Sequence, residues 1–370
     1  MVFYMKKILF IIDSLTGGGA EKVLVNLVNN MDTNKYDITV ETMFFDGVNA
    51  QFLKPEIKHF CKNAPHFHGI SHLLKRIPDK LLYKYFIGNA KYDIIVAFMH
   101  GASAKVVAGC PDKKIKKYAW IHINEMEHGT IWKFYPTREQ TVESYSRFDK
   151  VVAVSETVKE AFERYSHLGD KIIVKYNVND VARIKKMSEE KFERNDDTFY
   201  ISTFGRLSSQ KGFDRLINIG KRLKDDGFNF EIHIFGKGED HEKLQTQLDA
   251  SGAGDRVFLD GFIENPYKVI NNSDLFVCSS LYEGLSTAMS EAVILGVPVI
   301  TTDVSGAKEV LGNNNEYGIV TENNEDALYS AMKSILEDKE LYNKYKEKVL
   351  ERKEFFETEK TVSEVCKLFD

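Results

Sequence analysis

Two glutamates eight positions apart, Glu283 and Glu291, are the first residues of this 370-residue chain whose spacing indicates chemistry. The apolar run 274–279 predicts a buried strand before them, and Ser286 and Thr287 are residues that commonly start helices. Glu283 is therefore expected in a loop after a strand and Glu291 within the next helix. At about 1.5 Å per helical residue the two lie roughly 12 Å apart at most. This matches the reach from the ribose to the sugar ring of a nucleotide-sugar, and the helix N-terminus between them suits a diphosphate.

Two cations after another predicted strand are suited to the same diphosphate. In the segment 204–214, Arg206 offers a rigid bidentate fork and Lys211 a mobile point charge. The glycines 17–19 follow the first predicted strand and let the backbone approach a ligand closely, but they do not fit the dinucleotide-binding pattern. Each feature also has an ordinary explanation: surface glutamates on an amphipathic helix, solvated cations on a loop, and a plain strand-to-helix turn.

Taken together, these segments resemble the signature of family-four retaining glycosyltransferases of the GT-B fold. The likeness rests on Ser280-x-x-Glu-Gly-Leu with the later Glu-Ala and Gly-Val-Pro-Val-Ile, and on the segment 205–214. It covers nearly all of the chain, is strongest at 200–310 and is looser at 30–90. The chain departs from the family where Asn177-Val-Asn-Asp replaces the usual Asn-Gly-Val-Asp.

The resemblance assigns roles to individual residues. It implies that Glu291 binds the ribose, that Glu283 holds the hexose, and that the backbone near Ile263 reads the base. The implied donor-binding residues are Gly18, Gly19, Arg206, Lys211, Gly236, Ile263, Glu283, Gly284, Leu285, Ser286 and Glu291. The implied catalytic residues are Glu283, His122, Arg206 and Lys211. Glu21 and His100 are expected on the acceptor side.

Short apolar runs predict twelve strands, at 7–12, 37–43, 93–99, 117–122, 150–154, 171–176, 199–204, 230–235, 256–260, 274–279, 297–301 and 317–320. Their alternation with helical patterns predicts an α/β protein with two doubly wound parallel sheets. With the resemblance, this implies the GT-B fold: two Rossmann-like domains that face each other across a cleft. The expected acceptor-side domain covers residues 1–177, joined by a C-terminal crossover helix at about 353–370. The expected nucleotide-sugar-binding domain covers residues 178–352, and the polar segment 177–198 marks the boundary.

Composition excludes several classes of protein. The net charge is −5, yet residues 1–177 carry 25 Lys and Arg against 19 Asp and Glu, so the first half is the better face for an anionic partner. No basic–aromatic motif indicates nucleic acid, and the longest apolar run near the start of the chain, 8–12, is too short to span a bilayer. No Asp-x-Asp or His/Cys/Asp cluster has the spacing of metal ligands, so we expect neither metal nor cofactor. Four scattered cysteines are typical of a cytoplasmic protein.

The segment 71–86 combines basic and apolar residues, and Pro78 divides it into two predicted helices. Lysines at 113–117 add charge nearby in the sequence. One interpretation is a solvated face over the core. The other is an anionic membrane surface, which would place the protein peripherally at the inner face of the cell membrane.

The most economical interpretation is a metal-independent hexosyltransferase in polysaccharide biosynthesis. We expect it to move a hexose from a UDP-linked donor to a hydroxyl of a growing surface glycan or lipid-linked saccharide. Two alternatives remain: a nucleotide-sugar epimerase on the same fold, and a non-catalytic GT-B partner protein.

Overall fold

The computed structural model of the protein describes residues 4–67, 69–124 and 131–370. The chain divides into two compact units. The first unit comprises residues 1–179 and 358–370, and the second comprises residues 180–357. The sequence placed the corresponding boundaries at 177/178 and 352/353, two and five residues earlier.

The first unit is built on a parallel sheet of seven strands in the order β3-β2-β1-β4-β5-β6-β7 among the described residues. Strands β1, β4 and β5 are the centre of this sheet, and their apolar residues are buried. The strands are β1 (Lys6–Ser14), β2 (Tyr36–Phe45), β3 (Lys58–Cys61), β4 (Ile94–Ala97), β5 (Lys116–Ile121), β6 (Lys150–Ala153) and β7 (Ile172–Val174). The helices are α1 (Gly19–Asn30), α2 (Ile70–Arg76), α3 (Asp79–Phe86), α4 (Ala102–Ala108), α5 (Arg138–Ser146), α6 (Glu156–Ser166) and, from the end of the chain, α15 (Thr358–Cys366).

The second unit has a parallel sheet of six strands in the order β10-β9-β8-β11-β12-β13. Its strands are β8 (Phe199–Phe204), β9 (Phe230–Phe235), β10 (Val257–Gly261), β11 (Leu275–Cys278), β12 (Val299–Thr302) and β13 (Ile319–Thr321). Its helices are α7 (Val181–Ser188), α8 (Phe213–Asp225), α9 (His241–Ser251), α10 (Tyr267–Asn271), α11 (Thr287–Leu295), α12 (Ala307–Leu311), α13 (Glu325–Glu337) and α14 (Lys339–Glu351). One continuous core joins the strands to the apolar faces of α8, α9 and α13.

The two parallel sheets confirm the predicted α/β architecture. Twelve strands were expected, and each has a counterpart in the structure. The strand that the sequence reasoning missed is β3, whose four residues alternate between exposed and half-buried positions at the edge of the sheet. Lys58 and His59 carry no apolar signal, so only pairing with β2 makes this segment a strand. The polar segment 177–198 contains α7, which packs against α10 and α11.

The C-terminal helix α15 belongs to the first unit and packs on α1. The hydroxyl of Tyr118 donates a hydrogen bond to the carbonyl oxygen of Leu368 at 2.5 Å, and Tyr36 donates to the Asp370 carboxylate at 2.5 Å. Phe369 is buried against the rings of Phe10, Tyr36 and Tyr118. Burial of this ring and the two hydrogen bonds anchor the end of the chain.

In a parallel sheet the carboxyl ends of neighbouring strands meet at one edge, where ligands of such folds bind. The loops that follow β1, β4 and β5 therefore share one edge in the first unit. Those that follow β8, β9, β10 and β11 share the corresponding edge in the second unit.

Candidate active site

The loops after β8 and β11 are held together mainly through their backbones. The hydroxyl of Ser279 donates to the carbonyl oxygen of Lys211 at 2.7 Å, and the amide of Leu281 donates to the carbonyl oxygen of Gln210 at 2.7 Å. Gly212 caps the N-terminus of α8 with a φ of +60°, and a Cβ there would lie 2.3 Å from the Ser279 carbonyl oxygen. Only glycine fits this close approach, which fixes the position of Lys211.

Lys211 and Glu283 form an ion pair at this edge, with 2.6 Å between Nζ and Oε1. The hydroxyl of Ser280 donates a second hydrogen bond to the same carboxylate oxygen at 2.7 Å. Burial lowers the pKa of Lys211, but the Glu283 carboxylate outweighs it, so the pKa is raised above its ordinary value. Lys211 is therefore a charged ammonium group that is paired with the Glu283 carboxylate.

Arg206 lies in the loop after β8, exposed to solvent. Its guanidinium group interacts electrostatically with Lys211, so the two cations lie at the same end of the sheet. Two like charges in proximity repel each other, and a nearby anion offsets this repulsion because it attracts both. Glu283 supplies one negative charge, which leaves this cluster with a net positive charge.

The segment Gly284–Ser286 leads directly into α11. Ser286 caps the helix, since its hydroxyl accepts a hydrogen bond from the amide of Met289 at 3.4 Å. Gly306, with a φ of +77°, approaches so closely that a Cβ would lie 2.6 Å from Leu285 Cδ1 and 3.0 Å from the Gly284 carbonyl oxygen. Because Gly284–Ser286 lie at the N-terminus of α11, the positive end of the helix dipole adds to the charge of Lys211 and Arg206.

Glu291 occupies the middle of α11 and is buried. Its carboxylate accepts a hydrogen bond from the hydroxyl of Tyr267 in α10 at 3.4 Å. A buried carboxylate destabilises the folded protein unless polar groups compensate for its lost hydration. Its position is therefore unlike that of an ordinary surface glutamate on an amphipathic helix.

The loops after β9 and β10 join the same edge. The amide of Gly236 donates to the Gly261 carbonyl oxygen at 2.8 Å, and a Cβ at Gly236 would lie 1.8 Å from the Gly205 carbonyl oxygen. Ile263 follows β10 and packs, half-buried, against a small cluster formed by Tyr200, Phe235 and Val269. The backbone around Gly236 is thus packed too tightly for any side chain.

In the first unit, the glycine-rich loop after β1 wraps around a carboxylate. Gly18 precedes the first turn of α1, and a Cβ there would lie 2.2 Å from Glu21 Oε2. The hydroxyl of Thr16 donates to Glu21 Oε1 at 2.9 Å. The buried Glu21 carboxylate is therefore folded back over the N-terminus of α1, where the helix dipole favours a negative charge.

His122 follows β5, and its half-buried imidazole contacts the residue after β4. Its Nε2 lies 2.9 Å from the carbonyl oxygen of Phe98. Burial and the neighbouring His100 lower the pKa of His122 to about 3, and the Phe98 carbonyl opposes this only partly. His122 is therefore neutral at physiological pH.

Two family models match adjacent stretches of the chain. The model described as Glycosyltransferase Family 4 matches residues 17–183, and the one described as Glycosyl transferases group 1 matches residues 184–352. The chain belongs to glycosyltransferase family 4. It is a glycosyltransferase with the GT-B fold.

Relatives of the glycosyltransferase include enzymes of bacterial glycan assembly. An N-acetylgalactosamine-N,N'-diacetylbacillosaminyl-diphospho-undecaprenol 4-alpha-N-acetylgalactosaminyltransferase of Campylobacter jejuni is 25% identical and covers 98% of this chain and 99% of its own. The lipopolysaccharide 1,6-galactosyltransferase of Salmonella typhimurium is 26% identical and covers 84% of each chain.

Solved structures share the fold at low sequence identity. A mutant of TarM from S. aureus, in complex with Fondaparinux, alpha-GlcNAc-glycerol and UDP, has a TM-score of 0.79 at 15% identity and covers 99% of this chain and 100% of its own. HepE of Anabaena, in complex with UDP and glucose, has a TM-score of 0.78 at 21% identity and covers 99% of both chains.

The structure of the glycosyltransferase brings the predicted residues together in two groups. The second unit holds Arg206, Lys211, Gly236, Ile263, Glu283, Gly284, Leu285 and Ser286 in the connected loops at one end of its sheet, with Glu291 in the helix behind them. The first unit holds Gly18, Gly19, Glu21, His100 and His122 at the corresponding end of its own sheet. Their roles toward a donor or an acceptor remain predictions.

The sequence reasoning gave no role to Asp13, the residue before the end of β1. Burial raises the pKa of this carboxyl to about 7, and Glu21 adds to the rise while hydrogen bonding from Ser103 opposes it. The signal was present in the sequence, because a carboxylate interrupts an otherwise apolar strand just before the glycine-rich loop. Among the described residues, no group of three or more His, Cys, Asp or Glu side chains is arranged to hold a metal ion.

The segment 71–86 of the glycosyltransferase forms α2 and α3, which Pro78 separates as predicted. Leu73, Leu81 and Tyr85 are exposed between the basic side chains. Two lysines of the segment 113–117 add less to a basic surface than expected. Lys117 is buried, and Lys116 pairs with Asp149 at 2.9 Å. No described helix combines the length and apolar composition needed to cross a bilayer.

Proposed function

We propose that this glycosyltransferase moves a hexose from a UDP-linked donor to a hydroxyl of a growing surface glycan or lipid-linked saccharide, with retention at the anomeric carbon. The observation that carries the proposal is the ion pair of Lys211 and Glu283 beside Arg206 and the N-terminus of α11. Relatives named for undecaprenol-linked and lipopolysaccharide acceptors support the acceptor class, and UDP in the TarM and HepE structures supports the base.

In this proposal the cations bind the donor diphosphate. Lys211 is paired with the Glu283 carboxylate, and a diphosphate would compete for it as a stronger partner with more acceptor oxygens. The diphosphate then lies between Lys211, the exposed guanidinium of Arg206 and the start of α11. All three are positive and stabilise the negative charge that grows on the leaving oxygen as the sugar–phosphate bond breaks.

Glu283 and Glu291 hold the two ends of the donor. Once Lys211 binds the diphosphate, hexose hydroxyls can hydrogen-bond to this loop. The Glu283 carboxylate accepts these bonds, and the Gly284–Ser286 backbone amides donate them. Glu291, oriented by Tyr267, binds the ribose hydroxyls. Gly236 and the backbone near Ile263 frame the base.

Retention follows from a front-face displacement that needs no protein nucleophile. The bond between the anomeric carbon and the phosphate oxygen breaks, and the acceptor oxygen forms its bond on the same face of the sugar. The acceptor proton passes to the departing phosphate oxygen, which gains an electron pair in the same step. Neutral His122 contributes a hydrogen bond to the hexose, and the reaction requires no metal because protein cations stabilise the leaving group.

The first domain is proposed to bind the acceptor, with Glu21 and His100 on that side. If the acceptor is lipid-linked, the enzyme must meet a membrane surface. The exposed side chains of Leu73, Leu81 and Tyr85 lie among basic residues of α2 and α3, a composition suited to an anionic bilayer surface. We therefore place the protein in the cytoplasm, peripherally at the inner face of the cell membrane.

The experiment that tests this function measures thermal stabilisation by a panel of nucleotide-sugars, followed by analysis of each stabilising donor after incubation. A UDP-sugar should raise Tm more than the same sugar linked to GDP or ADP. With donor alone, only slow hydrolysis to UDP and free sugar is expected, and an added glycan acceptor should accelerate UDP release. Conversion of the donor to its epimer without acceptor would identify an epimerase, and no stabilisation by any donor would identify a non-catalytic protein.

A further inference from the structure

The end of strand β11 continues into the loop that carries Glu283, and three buried side chains at this point donate hydrogen bonds. The thiol of Cys278 donates to Ser280 Oγ at 3.5 Å. The hydroxyl of Ser279 donates to the backbone carbonyl oxygen of Lys211 at 2.7 Å. The hydroxyl of Ser280 donates to Glu283 Oε1 at 2.7 Å. Of the three, Ser280 is the one that contacts a side chain used in the proposed function.

The position of Ser280 is fixed by the fold alone. Its hydroxyl accepts from the Cys278 thiol and donates to the Glu283 carboxylate. Its carbonyl oxygen accepts a hydrogen bond from the hydroxyl of Thr302, in the neighbouring strand β12, at 2.6 Å. Both Ser280 and Thr302 are at most 1% exposed. A buried residue held at three points has little rotational freedom, so its hydroxyl stays directed at the carboxylate.

The two oxygens of the Glu283 carboxylate have different surroundings. Oε1 accepts hydrogen bonds from the Lys211 ammonium group at 2.6 Å and from the Ser280 hydroxyl at 2.7 Å. Oε2 accepts no hydrogen bond from the described residues and is not one of their buried unpaired oxygens, so a ligand can reach it. One oxygen is therefore bound to the protein and the other is open.

Lys211 and Ser280 differ in what a bound diphosphate does to them. In the proposed function the diphosphate competes for the ammonium group of Lys211 and draws it away from Glu283. The Glu283 side chain is only 10% exposed, and a buried carboxylate that loses a partner is destabilised unless another donor remains. Among the described residues, Ser280 is the donor that remains on Oε1. Its own contacts lie within β11 and β12, so the diphosphate does not displace it.

We propose that Ser280 is a positioning residue that holds Glu283 Oε1 when Lys211 turns to the diphosphate, so that Oε2 is directed at a hexose hydroxyl of the donor. The inference rests on the proposed function, from which it takes the contact between Glu283 and the hexose. Ser280 itself does not touch the substrate. No proton is transferred, because the hydroxyl donates the same hydrogen bond throughout.

Different groups then serve the two halves of the donor. The diphosphate is bound by Lys211, Arg206 and the N-terminus of α11. A serine hydroxyl has a single proton to donate, and that of Ser280 goes to Glu283. UDP, which lacks the hexose, should therefore bind independently of this hydroxyl, whereas a UDP-hexose should not.

The experiment measures the dissociation constants of UDP and of a UDP-hexose by calorimetric titration without acceptor, for wild type and Ser280→Ala. The UDP-hexose is the one that stabilises the wild type most among UDP-glucose, UDP-galactose and their N-acetylamino forms. Ser280→Ala removes one oxygen and adds no atom, so it introduces no steric clash. Its Kd for the UDP-hexose should rise about five- to tenfold, while its Kd for UDP should stay within twofold of wild type.

Ser273→Ala is the matched control. Ser273 lies just before β11, at the opposite end of that strand, and its buried hydroxyl is hydrogen-bonded to Ser202 Oγ and to the Val269 carbonyl oxygen, both at 2.8 Å. Each variant loses a buried hydroxyl, so both should lower Tm slightly. Ser273→Ala should leave both dissociation constants within twofold of wild type.

A double-mutant cycle tests whether Ser280 acts through Glu283. The two dissociation constants are also measured for Glu283→Ala and for the double variant with Ser280→Ala. Without the Glu283 carboxylate, loss of the Ser280 hydroxyl should change the ratio of the UDP-hexose Kd to the UDP Kd by less than twofold.

Two results would overturn the proposal. One is a ratio of the two dissociation constants in Ser280→Ala that stays within twofold of wild type, whether both ligands bind normally or both bind equally more weakly. The other is an equal change in this ratio with and without Glu283, which would show that Ser280 contacts the hexose itself. Failure of the proposed function gives a different result, in which the wild type binds none of the UDP-hexoses.

Discussion

Replacement of Lys211 by methionine tests the proposed diphosphate site most sharply. Methionine keeps an unbranched side chain but removes the charge that pairs with Glu283 at 2.6 Å. A hydrogen bond to a charged group contributes about 1.5–3 kcal/mol, so UDP should bind roughly 10- to 150-fold more weakly. Loss of one donor that stabilises a transition-state anion reduces kcat by about 10²–10³. Transfer should therefore suffer more than UDP affinity.

The same substitution leaves Glu283 without its cation, so the fold should lose some stability. The side chains of Lys211 and Glu283 are only 19% and 10% exposed. Breaking a fully buried pair costs about 3–5 kcal/mol, whereas exposed pairs contribute about 0–1 kcal/mol. A loss of about 1–3 kcal/mol in the free energy of unfolding is expected for this intermediate case.

The assay combines calorimetric titration of UDP, steady-state transfer kinetics and denaturant unfolding of the same preparations. Lys221→Met is the control, since Lys221 pairs with Asp225 on the surface of α8 and both side chains are about half exposed. It should leave all three quantities nearly unchanged. If Lys211→Met binds UDP within twofold of wild type and keeps near-normal kcat, then Lys211 is only a structural partner of Glu283 and the proposed site is wrong.

Three further outcomes are expected. In the proposed mechanism Arg206, Lys211 and the α11 N-terminus take the place of a metal at the diphosphate, so transfer should persist in excess EDTA; a complete loss that magnesium or manganese restores would contradict this. Binding to phosphatidylglycerol vesicles at low salt should weaken with added salt and disappear when four cations become glutamine, each being worth about 1 kcal/mol near an anionic bilayer. Those cations are Lys75, Arg76, Lys80 and Lys84. Four Lys→Gln changes in α14 serve as the control, and a wild-type protein that stays in the supernatant would refute the membrane surface. Gly212→Ala should lower the free energy of unfolding by more than about 1 kcal/mol, since it adds a clash with Ser279 to the backbone strain. Gly227→Ala, which has a φ of +86° but no neighbour within 4 Å, should be milder.

Much of the fold could be predicted because buried parallel strands are nearly continuous apolar runs. Strand β8, for example, was expected at 199–204 and has those bounds. The edge strand β3 could not be predicted, since its residues carry no apolar pattern and its pairing with β2 decides its structure. Pro78 correctly divided the basic segment into two helices, because proline cannot continue a helix begun before it.

Residue types alone predicted only part of the chemistry of the candidate site. Sequence placed Lys211 and Glu283 at strand ends, but their direct contact depends on β8 and β11 being neighbours in the sheet. Seventy-two positions separate the two residues, so no local pattern encodes the pair. The neutral state of His122 and the raised pKa of Asp13 likewise come from burial, which arises only once the strands and helices pack.

The anomeric configuration of the product tests the central claim most directly. The enzyme is incubated with a stabilising α-linked UDP-sugar and an octyl glycoside acceptor, and the new linkage is followed by proton NMR from the first minutes. The proposal predicts an α-linked product that forms together with one UDP per linkage and depends on both substrates. A β-linked product would contradict retention, and an unchanged acceptor beside intact or epimerised donor would contradict glycosyl transfer itself.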